Sequence, residues 1–473
     1  VYDAPVKRRL GVFAAALLPR LALATLTFGS TDLVASLRNT LRVMHGLSAV
    51  TPYLTGIELW LWISGHVVMA TDLPLSLPYK FLPCLADALI ALLLLESDAE
   101  RGMRRALLYA FAPLPLFIHA LHGQWDALWM IFLLLALLCA RGSGDAAAVV
   151  TGAALVLSLV FKPVAIAVAP LLLPRDKRRA ALFVVGAAVT AVLYAVIAWR
   201  AGMLVTLADL GDIANYAGGG VQLFGLPLRF PRLPALLAAA MALWALHWFR
   251  RIEREQAVLL FFCAAIGLAG LSPQYLCWPV AFALLTGRTR FLALYTLLAG
   301  IFLALYYELP AVNLRNVENL GTYGFLKPFG HWSPVVPDVR LRLVAQILGN
   351  YAVPLCALAY AIWSGSRPAA IAVSPPISLR PLVVPLALSA AFVVLADVWA
   401  ANQNAFADEQ FIVTVDRRVR SYDIVRYRAE HAGKMWVARS FVDPAAGRPI
   451  LNAATLAMLW VCAWSVVAAR EPS

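Results

Sequence analysis

The strongest constraint on this chain is the recurrence of apolar stretches, each close to bilayer-crossing length, from Gly11 almost to the C-terminus. A hydrocarbon core takes about 20 apolar residues per helix, and only short polar breaks separate most of the stretches. Spans are predicted near 11–28, 78–96, 103–120, 124–140, 147–161, 164–174, 180–199, 232–249, 257–271, 274–287, 290–307, 341–363, 380–399 and 450–468. The pair at 147–161 and 164–174 is short and meets at Lys162 and Pro163, so it reads either as two spans or as one broken or re-entrant pair. The fold class expected is an all-α polytopic membrane protein of about 12–14 transmembrane helices.

Composition agrees, because 62% hydrophobic and 14% charged residues in a chain of 473 exclude a soluble domain. A net charge of +13 would suit nucleic acid, but the cations sit in short clusters between apolar runs, the arrangement that orients membrane proteins. Every second break is basic. These inner breaks hold Arg101, Arg104 and Arg105; Arg141; Arg175, Lys177, Arg178 and Arg179; Arg250, Arg251 and Arg254; Arg288 and Arg290; and Arg367. Arg20 interrupts the first apolar run and no small-residue cleavage site follows, so that run is read as a retained helix. Cys84, Cys139, Cys263, Cys277, Cys356 and Cys462 lack paired spacing and read as packing residues.

Three units follow: a transmembrane catalytic domain over 1–399, an external basic segment over 400–449, and a last helix with a cytoplasmic tail over 450–473. The first outer loop is expected to carry surface helices, since Leu33, Leu37, Leu41 and Met44 recur at helical spacing and the apolar run 59–70 is too short to span. Within 400–449, FIVTV and MWVARSFV read as two short strands.

The alternate, outer breaks carry the unusual polar residues. Asp32 follows the first span and reads either as a helix N-cap or as a general base. His122, Gln124, Trp125 and Asp126 form a turn that is either an interfacial cap or a cavity wall. Lys162 either snorkels to the interface or neutralises a phosphate. Gln274 and Tyr275 break a later helix with hydrogen-bonding groups, and Arg315 and His331 are the loop cations suited to a charged leaving group. No HExxH, paired-cysteine or P-loop pattern is present, so neither a metal nor ATP is implied.

The ordered set GSTDLVASLRNTLRVMHGLSAVTPY, LPYKFLPCLADALIALLLL, HGQWDALWMIFLLLAL, FKP and LSPQYLCWPV resembles the external loops and early spans of the GT-C superfamily of polyprenyl-phosphate-sugar-dependent glycosyltransferases, especially its bacterial mannosyltransferase-like branch. The resemblance covers Gly29 to about Trp278. It implies an inverting hexosyltransferase of the cytoplasmic membrane, with its site facing the periplasm or cell exterior and no cofactor. The donor would be a polyprenyl-phosphate-linked sugar, mannose or another hexose, and the acceptor an envelope lipid or glycan. Asp32 takes the family's catalytic-base position, and its neighbours Thr31 and Leu33 lack the second acid of the metal-using branches. Arg315, Lys162 and His331 would contact the donor phosphate, while His122, Gln124, Asp126, Gln274 and Tyr275 would line the cavity. Membrane lipids are the other expected partner, and nucleic acid is not one.

The rival reading is a transporter or flippase of lipid-linked sugars, which would place polar sites near the middle of the spans. Arg20 is the clearest ionisable residue there.

Overall fold

The computed structural model describes residues 3–26, 40, 55–70, 76–200, 220–223, 226–269, 273–308, 344, 347–365 and 448–470. The expected helix around Leu33 to Met44 (apart from Thr40), the span near 380–399 and the strands at 411–415 and 435–442 lie outside these residues. What is described is a helical bundle.

Apolar periodicity produces long helices over Asp3–Leu26, Ser76–Glu96, Asp126–Arg141, Asp145–Phe161, Lys177–Arg200, Arg232–Trp248, Arg254–Ala269, Thr289–Glu308, Val353–Gly365 and Arg448–Ala469. By length and composition, Pro78–Glu96 and Lys177–Arg200 are long and apolar enough to cross a membrane. Shorter apolar helices, among them Pro234–Trp248 and Asp145–Phe161, run 10–17 residues. Helix Thr55–Ala70 forms where the sequence suggested a short apolar run and packs against Ser76–Glu96 and Asp145–Phe161.

Three expected spans prove to be interrupted, and proline is the common cause. The run 103–120 divides into Gly102–Ala110, a turn Pro113–Pro115 and a π-helix Leu116–Leu121. Ala112 turns extended at ψ 126°, because the residue before a proline is pushed out of the helical region. Lys162, at φ −152° and ψ 121°, ends Asp145–Phe161 before the 3-10 turn Pro163–Val168 and the short helix Ala169–Leu172. The break expected at Lys162 is therefore present. At 274–287 the chain enters by the 3-10 turn Pro273–Cys277 before helix Trp278–Leu285.

One piece of β-structure falls where a plain loop was expected. Strands Gly220–Leu223 and Leu226–Pro231 pair antiparallel with Leu223 opposite Leu226. Pro227 and Pro231 obscured the pattern, since proline argues against a strand except at an unpaired edge.

Helices pack through small residues. A Cβ at Gly152 would run into the Phe183 carbonyl, and one at Gly186 into the Val149 carbonyl, so Asp145–Phe161 and Lys177–Arg200 touch backbone to backbone. Such close approach gains dispersion contacts along a long seam. The opposite face of Lys177–Arg200 exposes Val184, Val185, Val189, Val192, Leu193, Val196 and Ile197.

The helix connections segregate to two ends. At one, Arg141 Nε donates to Glu255 Oε1 at 2.7 Å, Arg141 Nη1 to Ser97 O at 3.2 Å and Arg254 Nη1 to Ala140 O at 2.8 Å. Arg175 Nη2 donates to Trp248 O at 2.8 Å in the same group. Guanidinium groups here close the carbonyl ends of helices, where the helix dipole favours a cation. The other end gathers the turns 122–126, 162–163 and 273–277.

Candidate functional site

Folding of the second end begins at Gly123. The chain leaves the π-helix through hydrogen bonds from His122 N to Phe117 O at 2.8 Å and from Gln124 N to Ile118 O at 2.9 Å. Gly123 takes φ +86°, and an added Cβ would stand 3.3 Å from Lys80 Cε. Lys80 is fully buried and donates from Nζ to Leu121 O at 3.0 Å, filling a carbonyl that the helix end leaves open.

The reversed chain then starts helix Asp126–Arg141, whose N-cap residue is Trp125 and which has no side-chain cap. Asp126 stands at the N-terminus of this helix, as the sequence predicts. Asp126 Oδ1 accepts from Lys162 Nζ at 2.6 Å, Trp129 Nε1 at 2.8 Å and Trp278 Nε1 at 2.8 Å. Asp126 is 3% exposed. Three donors converge on one oxygen because a buried carboxylate is stable only when its lost hydration is replaced.

Lys162 reaches this carboxylate from the break in the next helix pair. Its ammonium also lies 5.2 Å from the Tyr275 ring centroid and 4.9 Å from that of Trp278, within cation–π range. Tyr275 and Trp278 lie 4.4 Å apart with their rings tilted by 42°, and Trp278 meets Trp129 edge-on at 5.4 Å. The turns 122–126, 162–163 and 273–277 thus meet at one point. Beside it opens a recess of about 10 Å³, the room of about one water, lined by Ile57, Gln124, Trp125, Asp126, Trp129, Phe161 and Lys162. His122 and Gln124 are buried, with His122 Nε2 and Gln124 Nε2 3.4 Å apart.

Of the residues singled out from sequence, His122, Gln124, Asp126, Lys162, Gln274 and Tyr275 fall at this end of the bundle. Lys162 is engaged by Asp126, so a phosphate arriving there meets a neutralised pair. Asp32, Arg315 and His331 lie outside the described residues.

A second polar cluster lies within the bundle. Asp87 accepts from Arg20 Nε at 2.8 Å and from Tyr109 Oη at 2.6 Å, and its Oδ2 stands 2.9 Å from His119 Nδ1. Arg20 also donates to Ala16 O at 2.8 Å and Ala110 O at 2.7 Å. Arg20, Asp87 and His119 are all at 0% exposure. His119 Nε2 faces Cys277 Sγ at 3.3 Å, and Sγ donates to Gln274 O at 3.1 Å. The 3-10 turn Pro273–Cys277 therefore links both clusters.

Sequence reasoning gave no role to Lys80, Asp87, Tyr109, Trp129 or Trp278. For Asp87 the signal was present, since a carboxylate inside CLADALIALLLL demands a partner. Among the described residues no three His, Cys, Asp or Glu side chains converge as metal ligands.

No protein-family model matches the chain, and no curated protein or solved structure matches it either.

Proposed function

We propose that this chain is a polytopic membrane protein that transfers a sugar from a polyprenyl-phosphate donor to an envelope lipid or glycan at the non-cytoplasmic face. One observation carries the reading: three breaks remote in sequence, those of Asp126, Lys162 and Trp278, meet at Asp126 Oδ1. These turns are three of the five segments that carry the resemblance to GT-C glycosyltransferases. The basic breaks gather at the other end, which is the distribution the positive-inside rule requires of opposite membrane faces. The exposed valines and leucines of Lys177–Arg200 suit a lipid-facing surface.

In this reading Asp32 removes the proton of an acceptor hydroxyl. The oxygen attacks the anomeric carbon, the bond to the donor phosphate breaks with inversion, and the polyprenyl phosphate departs with the electron pair. Arg315 and His331 stabilise that leaving charge. Lys162, held by Asp126, serves chiefly to fix the cavity wall, and the partly exposed Tyr275 offers an aromatic face suited to a sugar ring. Incubation of the purified protein with radiolabelled polyprenyl-phosphate sugars and membrane extract tests the proposal. A new labelled glycoconjugate is expected; absence of transfer from every donor would reject it.

The buried Arg20–Asp87–His119 network favours one other reading, a transporter or flippase, because ionisable groups inside a membrane bundle mark transport paths. Movement of a lipid-linked sugar between leaflets of a proteoliposome, without glycosidic bond formation, would select it.

A further inference from the structure

The basic end holds a cavity of about 620 Å³ that the proposed chemistry does not use. Arg175, Arg179, Arg250, Arg251 and Arg254 line it, against the carboxylates of Asp176 and Glu253. Five cations facing two acids leave a surplus of positive charge. Asp176 is also partly occupied, since its Oδ1 accepts the Arg179 amide at 2.9 Å.

Orienting the protein requires only that arginines be present, exposed and hydrated. These arginines are placed more specifically. Arg254 Nη1 donates to Ala140 O at 2.8 Å, and Arg179 Nη2 donates to Gly142 O, which fixes both guanidinium planes against one helix end. Yet Arg179 Nε and Arg254 Nε are both buried without a hydrogen-bond partner. A buried cationic N–H left unpaired is costly, so this end of the bundle carries concentrated positive charge at a cost in stability. Burial holds the Arg254 guanidinium below its ordinary value; Glu255 opposes this, and the charges of Arg179, Arg175 and Arg141 add to it. Arg250, at the cavity wall, takes φ 58° as the left-handed residue that ends helix Arg232–Trp248, its amide donating to His247 O at 2.9 Å and that of Arg251 to Leu246 O at 2.8 Å. Arg250 and Arg251 form no ion pair among the described residues.

We propose that this cavity is a phosphate-binding site, in which the guanidinium groups of Arg179 and Arg254, anchored on helix-end carbonyls, line the floor and Arg250 and Arg251 close the rim, their combined positive charge drawing the phosphate in. A guanidinium fork matches phosphate geometry, and phosphate is the common anion that uses several such forks at once. The ligand is either the headgroup of an anionic lipid or a free phosphate compound. The site lies at the end opposite Asp126 and is independent of sugar transfer, so failure of the transferase reading leaves it standing.

The test uses the full chain purified in a neutral detergent, followed by thermal unfolding at constant ionic strength. Sodium phosphate and sodium pyrophosphate form one arm, with chloride as control; phosphatidylglycerol in mixed micelles forms the other, with phosphatidylcholine as control. A raised midpoint in the first arm assigns a free phosphate compound, and one in the second arm alone assigns a lipid headgroup. Arg179→Gln and Arg254→Gln are expected to weaken the apparent affinity about tenfold or more, the range for losing a charged hydrogen bond. Arg251→Gln, on the exposed rim, is expected to fold normally and to weaken it less, while Arg141→Gln, outside the cavity, responds as the parent does. No stabilisation in either arm, or an undiminished response in Arg251→Gln and in whichever of the other two variants folds, overturns the proposal.

Discussion

Lys162 Nζ lies 2.6 Å from Asp126 Oδ1, an ion pair whose aspartate side chain is 2% exposed and whose lysine side chain is 15% exposed. The pair joins a turn between two helices to a break inside the next helix pair, and Trp129 and Trp278 donate to the same oxygen. Its value lies in positioning. Taking both charges out of water cancels much of their attraction, whereas removing one partner strands the other.

Asp126→Ala leaves the Lys162 ammonium and two indole N–H groups without their acceptor. A loss of about 3–5 kcal/mol is expected, the range for breaking a buried pair. Asp126→Asn keeps an oxygen for the indoles and should lose less. Denaturant unfolding in detergent measures both; equal stability of Asp126→Ala and the parent would show that the convergence on Oδ1 is energetically idle.

Gly123→Ala places a Cβ at φ +86° and 3.3 Å from Lys80 Cε. The backbone alone should lose about 1–2 kcal/mol, and the Lys80 contact adds to it. A lowered thermal midpoint is expected, and an unchanged midpoint would mean that the turn relaxes without cost.

At the basic end, Asp98 Oδ1 accepts the amides of Glu100 and Arg101, both at 3.0 Å, and Oδ2 lies 3.3 Å from Arg105 Nη2. Burial pushes this carboxyl up, but the two amides and the charges of Arg105 and Arg101 outweigh it and hold it below the ordinary carboxylate range. A depressed folded value means stability that is present above the unfolded value and lost as pH falls through the folded one. Asp98→Asn should therefore be less stable than the parent at pH 7, with the gap closing below about pH 4. A gap independent of pH would remove the charge from the explanation.

Sidedness is tested with single cysteines in a background lacking Cys84, Cys139, Cys263, Cys277, Cys356 and Cys462. Ser143 is exposed at the basic end and Arg200 is exposed at the far terminus of Lys177–Arg200. A membrane-impermeant maleimide added to intact cells is expected to label Arg200→Cys and to spare Ser143→Cys. The reverse pattern would invert the topology.

Most helices were legible, because a run such as ALFVVGAAVTAVLYAVIAW has one low-energy solution once water is excluded. The interruptions were less so. Lys162-Pro163 announced itself by a charge beside a proline, but Pro113 and Pro115 sit in an unbroken apolar run, and hydropathy alone could not reveal the π-helix after them. The site was half legible. The polar letters of HGQWD, FKP and SPQY marked the turns, whereas nothing local set Trp129 and Trp278 apart, and only the fold brings their N–H groups to Asp126. Asp87 escaped for a related reason, since its partner Arg20 is 67 residues away and no local pattern connects them.

Sugar transfer by Asp32→Asn against the parent is the most direct measurement of the central claim, made with radiolabelled polyprenyl-phosphate donor and protein shown to be membrane-inserted. The substitution keeps the side chain's shape and removes the base. A fall of about 10²–10⁴-fold is predicted, the contribution of a positioned general base; an undiminished rate in the inserted variant would contradict the account.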